Sequence, residues 1–245
     1  MHILGIDIGG SAIKGGIVDT DSGQLISERY RLETPQPAKP KAMLDVMQQI
    51  VQHFNWNGLI GCGYPGVVKN QTILTAANLD KSWIGENLSA RLQEKTGCNV
   101  WTLNDADAAG IAETHFTTNH MGVCMMITVG TGLGTALFVN KQLVPNLELG
   151  HLRLKNGKEA EKIASAAVKD KEKLTWKRWS KRFDKYLWTL QELIWVDTFI
   201  IGGGIADKSE KFLPYLTVPA QVCVAQQGNL AGIIGAALAA KLYTQ

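Results

Sequence analysis

Apolar positions along this chain follow two different periods. Short continuous apolar runs, HILGIDI at the start, VCMMI at 123–127 and DTFII at 197–201, have the length of strands and end near glycines, so they predict buried β-strands. Elsewhere the spacing is helical. KAMLDVMQQIVQHF places Met43, Leu44, Met47, Ile50, Val51 and Phe54 on one face. A longer helix over about 173–195 carries Trp176, Trp179, Phe183, Leu187, Leu190 and Ile194, with Lys177, Arg178, Lys181, Arg182 and Lys185 mostly off that stripe. NLSARLQEKTG predicts a short helix stopped by Gly97 and followed by the strand NVWTL. LNDADAAGIAET reads as strand, turn and helix, and DSGQLISERYRLET as a turn and a third strand. GLIGCGYPGVV reads as a buried strand broken by a Gly/Pro turn, TPQPAKP as a connector, and GNLAGIIGAALAAKLYTQ as a helix of small residues made for close packing. Strands and helices interleave throughout, so the fold class is α/β.

The chain also resembles itself. Residues 5–18, GIDIGGSAIKGGIV, superpose without a gap on residues 126–139, MITVGTGLGTALFV, with Gly9 on Gly130 and Val18 on Val139. Internal repetition of a strand, a glycine turn and a strand predicts two related lobes with a cleft between them. We place the first lobe at 1–104, with a helix at 229–245 packing back on it, and the second at 105–228. Neither turn continues as a phosphate-binding helix loop, because apolar β-rich sequence follows each one. Glycine lets backbone N–H groups close on a ligand, and successive N–H groups in such a turn make a concave anion site. Gly9, Gly10, Ser11, Thr131 and Gly132 are therefore candidates to hold a phosphate chain.

Composition narrows the class. At 245 residues with 45% hydrophobic content the chain has ample material for a core. No stretch has the length and apolarity of a membrane span, and strand-forming sequence from residue 3 leaves no room for a signal peptide, so a cytoplasmic location without membrane partners is expected. Cys62, Cys98, Cys124 and Cys223 stand singly in or beside apolar runs and read as reduced residues, not a metal site. The net charge is +3, but it is segregated. Residues 151–185 hold twelve Lys/Arg against five Asp/Glu. Such a block is either a solvated helix face or a surface for a polyanion.

A phosphate cradle points to phosphoryl transfer, which needs an acceptor in line, a base and cationic help. Asn104, Asp105 and Asp107 in LNDADAAG sit where a strand gives way to a helix. Asp and Asn are also preferred helix caps, and spacing alone does not choose between Asp105 and Asp107 as base.

The order DIGGSAIKGG, GYPGVV, LNDADAAG, TVGTGLG, ELGH and FIIGGGI resembles the ROK family of sugar kinases, in the actin, hexokinase and heat-shock ATPase superfamily. TPQPAKP, AANLDKSWIG, NLELGHL, GKEAE and AGIIGAALAA are similar more narrowly to its polyphosphate-using glucokinases. The resemblance implies a two-lobe ribonuclease-H-like fold with duplicated β-hairpin phosphate sites. It implies transfer of the terminal phosphoryl of inorganic polyphosphate, with ATP as a further donor, to the 6-hydroxyl of glucose. By the same resemblance Asp105 is the base, and Asn78, Asn104, Glu148, His151 and Glu161 hold the sugar. Gly203 joins the phosphate contacts, and a homodimer is expected. Lys14 is a candidate for neutralising the transferred group, and Asp7 for holding Mg²⁺ through water. Many of the family follow the histidine with a cysteine zinc cluster. HLRLKNGKEAEKIAS has no cysteine, so no zinc is expected. The basic block favours polyphosphate as donor, by analogy with other polyanions. Rival readings are a strictly ATP-dependent hexokinase, a sugar-sensing regulator and a nucleotide switch. A regulator of this fold carries an N-terminal DNA-binding helix-turn-helix that has no room here, and no nucleic-acid partner is expected.

Overall fold

The computed structural model describes residues 1–77, 79–116, 121–155 and 157–244. It divides into two compact units, Met1–Thr117 with Leu230–Gln245, and Thr118–Asn229. The division falls later than the expected 104/105, because the helix that begins at Asp105 packs extensively against the C-terminal helix of the first unit.

In the first unit β1 (His2–Ile8) and β2 (Ala12–Asp19) form an antiparallel hairpin, to which β3 (Gln24–Leu25) and β4 (Tyr30–Glu33) add as edge strands on β2. α1 (Pro40–His53) leads to β5 (Ile60–Tyr64), which runs parallel to β1. The small hairpin β6 (Val68–Lys69) and β7 (Thr72–Ile73) precedes α2 (Leu88–Thr96), whose C-cap Gly97 adopts φ +75°. β8 (Val100–Asn104) then pairs parallel with β5 and passes directly into α3 (Asp105–Phe116).

Strand alternation sorts the two faces of this sheet. Leu4, Ile6 and Ile8 of β1, with Ile60, Cys62 and Tyr64 of β5, form one core with Met43, Met47 and Ile50 of α1 and with Leu88 and Leu92 of α2. The alternate positions Gly5, Asp7, Gly61 and Gly63 face the other way. There the C-terminal helix, Ala231–Thr244, presses its backbone onto the sheet, with the carbonyls of Ile233 and Ala236 where side chains at Gly5 and Gly61 would stand. This helix is apolar and buried nearly all round, the expected pattern for one enclosed between a sheet and α3.

The second unit repeats the plan. β9 (Val123–Val129) and β10 (Leu133–Val139) form the hairpin, and β11 (Gln142–Val144) pairs with β10. After the short helices α4 (Glu161–Ala164) and α5 (Ala166–Lys171) and the long α6 (Trp176–Ile194), β12 (Thr198–Gly202) and β13 (Gln221–Val224) extend the sheet in parallel. The main strand order is therefore the same in both sheets, a meander of two strands on one side of the first strand and two parallel strands on the other, with β4 an addition on β2 in the first sheet. Trp179, Phe183, Tyr186, Leu187 and Leu190 of α6 pack on Met125, Ile127, Val129, Phe199 and Ile201. Trp188 and Trp195 lie outside this core, 38% and 76% exposed.

One expectation about the repeat is corrected. β1 pairs Ile8 with Ile13, whereas β9 pairs Val129 with Leu133, so the second turn is one residue shorter and the gapless superposition fails after Gly130. With one residue skipped, Ile13–Val18 overlies Leu133–Phe138, and burial then alternates identically along both. A one-residue slip would have turned every side chain to the wrong face.

Candidate active site

In the first unit the chemistry collects at the carboxyl ends of the parallel strands β1, β5 and β8, where ligands bind in open α/β sheets. Asp7 and Lys14 are cross-strand partners, and Lys14 Nζ donates to Asp7 Oδ2 at 3.0 Å. The Asp7 carboxylate also lies against the first turn of the C-terminal helix, where a Cβ on Gly232 would be 2.9 Å from its Cγ. Beyond Asp7 the turn is tied back by its carbonyls. Gly9 O accepts from Thr34 Oγ1 at 2.6 Å, Gly10 O from Gln36 Nε2 at 3.3 Å, and Ser11 O from the Thr34 N–H at 3.1 Å. The N–H groups of Gly10 and Ser11 donate to no group among the described residues. A turn held by its carbonyls with amides left over is suited to an anion.

At the end of β8, Asn104 is buried and caps α3. Its Oδ1 accepts from the Asp107 N–H at 3.0 Å, and its Nδ2 donates to Gly66 O at 3.1 Å, fixing the loop after β5. Asp105 and Asp107, which spacing left equivalent, are now distinct. Asp107 is 1% exposed inside the helix packing, whereas Asp105 is only partly buried, at the helix start beside Gly63. Accessibility favours Asp105 for contact with a substrate. Asn78 lies outside the described residues.

In the second unit Glu148, His151 and Glu161 come together. His151 Nε2 is 3.6 Å from Glu148 Oε2, and its Nδ1 is 3.7 Å from Glu161 Oε1 and 3.8 Å from Glu159 Oε2. Two devices fix the turn that carries Glu148. Gly150 sits directly on the Leu133 carbonyl, where any side chain would collide. Thr135 of β10, 3% exposed, donates from Oγ1 to Leu147 O at 2.6 Å and accepts from the Leu149 N–H at 3.1 Å, gripping the chain on both sides of Glu148. Burial raises the Glu148 carboxyl above its ordinary range, His151 opposes that shift, and like-charged Glu161 adds to it.

Glu161 also approaches the second glycine turn, its Oε2 2.6 Å from where a Cβ on Gly132 would lie. Groups able to bond hydroxyls and a turn with spare amides thus share one neighbourhood. In that turn Gly130 N–H donates to Gly132 O at 3.1 Å and Gly130 O accepts from the Ala167 N–H at 3.2 Å. The Thr131 and Gly132 amides donate to no group among the described residues. Gly203, at φ +77°, packs against the Val129 backbone just before the turn, with a Cβ position 2.6 Å from Val129 O.

Sequence reasoning passed over Thr135 and Glu159. Thr135 was legible as a polar residue in an otherwise apolar strand face, and Glu159 as part of GKEAE. The Glu159 side chain pairs with Lys162 at 2.6 Å, and its backbone forms an isolated antiparallel β-bridge with Arg153. Among the described residues His151, Glu159 and Glu161 form the one group with metal-ligand spacing, and it contains no cysteine.

Comparison with known proteins finds one family, a close relative and two similar solved structures. The ROK family model matches residues 3–162. A polyphosphate glucokinase of Mycobacterium tuberculosis H37Rv is 48% identical over 241 residues, covering 97% of this chain and 91% of that protein. Among solved structures, an inorganic polyphosphate/ATP-glucomannokinase from Arthrobacter sp. strain KM superposes with TM-score 0.94 at 38% identity over 98% of both chains. A ROK family glucokinase from Streptomyces griseus, solved with glucose and AMPPNP, superposes with TM-score 0.85 at 24% identity over 99% of this chain and 100% of its own, a likeness of fold.

Proposed function

The chain belongs to the ROK family, and from that membership we propose that it transfers the terminal phosphoryl of inorganic polyphosphate to the 6-hydroxyl of glucose, giving glucose 6-phosphate. The observation that carries this reading is near-full-length likeness to a polyphosphate glucokinase in a chain where Glu148, His151 and Glu161 meet beside an anion-ready turn. Carboxylates and an imidazole offer the donors and acceptors that a ring of vicinal hydroxyls requires. In this scheme they hold the sugar together with Asn104 and Asn78, and Asp105 accepts the O6 proton as the phosphoryl is transferred in line.

The amides of Gly10, Ser11, Thr131 and Gly132, with Gly9 and Gly203 shaping the backbone around them, hold the donor's phosphates. Lys14 supplies positive charge. Its ammonium has three donors, so the Asp7 pair leaves two for phosphate oxygens. Asp7 also fits an aquated Mg²⁺, because one carboxylate with substrate phosphates is the usual protein share of such a site. When bound, Mg²⁺ screens the phosphate charge. Homodimeric assembly and a cytoplasmic location belong to the same reading and are tested by sedimentation and fractionation.

ATP as a second donor is favoured by the likeness to the polyphosphate/ATP enzyme. Purified protein assayed for glucose 6-phosphate with polyphosphate and with ATP in turn decides the donor. Product from ATP alone overturns the polyphosphate assignment, and product from neither overturns the kinase reading.

A further inference from the structure

We propose that the exposed face of α6 is a secondary binding surface for long-chain inorganic polyphosphate, separate from the turns that hold the reacting phosphates. The proposal rests on the donor reading above and deepens it. Lys177, Lys181 and Lys185 repeat at every fourth residue, all exposed, with Arg178 beside the first. At about 1.5 Å rise per residue they form a ladder with rungs roughly 6 Å apart. None of the four makes an ion pair among the described residues, whereas their neighbour Arg182 is bound to Glu172 at 2.8 Å.

Helix electrostatics makes this arrangement costly for the fold. Like charges four residues apart repel, and cations belong at a helix C-terminus, where they offset the macrodipole. α6 does the reverse. Its first turn holds Lys177 and Arg178 and no acid, and its last turn holds no base. A rule broken twice without compensation inside the fold points to something outside it. The positive helix end and the ladder sum to a field that a linear polyanion satisfies.

The ladder also connects to the site. Lys169 and Lys211 stand 4.3 and 6.0 Å from the Trp176 ring centroid, flanking the start of α6. The Trp179 indole N–H donates to Ala164 O, and three residues later in that segment the Ala167 N–H donates to Gly130 O in the second glycine turn. Cations thus extend from the segments around that turn along the helix. A phosphoanhydride chain carries charge on every unit, so it meets each ammonium in any register. Such a surface captures long chains and leaves short donors unaffected.

The test compares the wild type with the triple variant Lys177→Gln/Lys181→Gln/Lys185→Gln and with a charge-matched control, Lys41→Gln/Lys69→Gln/Lys141→Gln. KM is measured for long-chain polyphosphate and for tripolyphosphate across a salt series, and long-chain binding is titrated directly without glucose. The ladder variant is expected to bind long chains at least tenfold more weakly at low salt, with KM rising in parallel. Its slope of log affinity against log salt should flatten by about 2–3, since each ammonium–phosphate pair removed takes away roughly 0.7–0.9. Its kcat, its tripolyphosphate KM and the control variant should stay at wild-type values. Unchanged long-chain binding overturns the proposal, as does an equal loss in the control or with tripolyphosphate. Displacement of the long chain by single-stranded RNA at equal charge concentration overturns the choice of ligand. Should the wild type make no product from polyphosphate, the donor reading falls, and the direct titration still decides the ladder.

Discussion

Replacing Thr135 by valine tests whether the second hairpin places Glu148. Valine keeps the branched shape at a position that is 3% exposed, but it removes the hydroxyl that lies 2.6 Å from Leu147 O and 3.1 Å from Leu149 N. A buried polar group that loses its partner costs about 1–3 kcal/mol. Leu147 and Leu149 are only partly buried, so water recovers part of that cost. The sum is then about 2 kcal/mol. The turn escapes most of this penalty by moving toward solvent, and Glu148 moves with it. Loss of one charge-assisted hydrogen bond to a sugar hydroxyl is worth about 1.5–3 kcal/mol, or roughly a 10- to 150-fold rise in glucose KM. Steady-state kinetics with saturating donor should show that rise with kcat changed far less, because Thr135 touches no reacting atom. Thr135→Ser retains the hydroxyl and should restore KM. A valine variant with reduced stability and wild-type glucose KM refutes the reasoning, since the clamp would then serve the fold alone.

Asp105→Asn should lower kcat by about 10²- to 10⁴-fold with glucose affinity nearly unchanged, and near-normal turnover in stopped assays would remove Asp105 from the role of base. Glu148 gives a pH signature. Its folded-state carboxyl is raised, so the native state holds that proton more tightly than the unfolded chain, and stability falls as pH rises from the ordinary carboxylate range through the raised value. Glu148→Gln should therefore melt at or above the wild type at pH 7 while binding glucose more weakly, with the stability gain vanishing below about pH 4. A lower melting temperature at pH 7 contradicts this. Gly61→Ala places a methyl on the Ala236 carbonyl and should cost about 3 kcal/mol or more by denaturant titration, and a neutral result would mean the C-terminal helix yields easily.

Much of this fold was legible because local signals agreed with the tertiary result. The glycine turns, the Gly97 stop and the stripe of α6 each declare themselves within a few residues. The register of the repeat did not. Whether the second turn has three or four residues depends on which pairs hydrogen-bond, and the small residues around Gly130 superpose plausibly either way. Spacing also left Asp105 and Asp107 equivalent, since both are preferred at a helix start; the packing that buries Asp107 distinguishes their environments. Thr135 stood out only as a polar residue in an apolar strand, and its role was hidden for a different reason: its partners are backbone groups of residues 147 and 149, which the side-chain pattern does not reveal.

The corrected register changes what the duplication means. With one residue skipped, the Asp7–Lys14 cross-strand pair of the first hairpin corresponds to Thr128–Gly134 in the second, which is uncharged. The two turns are thus alike in backbone and unlike in electrostatics. A fixed acid and a fixed base beside the first turn suit hydrated-cation and phosphate chemistry. The second turn has no charge of its own strands near it. It takes its charge from Glu161, reaching in from α4, a segment without a counterpart among the elements of the first hairpin. A carboxylate there repels any phosphate that is not being drawn elsewhere, but it is well placed to bond a hydroxyl. In the proposed scheme the second turn is accordingly the one at which donor and acceptor sugar meet, and Glu161→Gln should raise glucose KM while lowering the KM for the phosphate donor. Opposite signs from one substitution distinguish this arrangement from a carboxylate that merely braces His151, whose loss would leave the donor KM untouched.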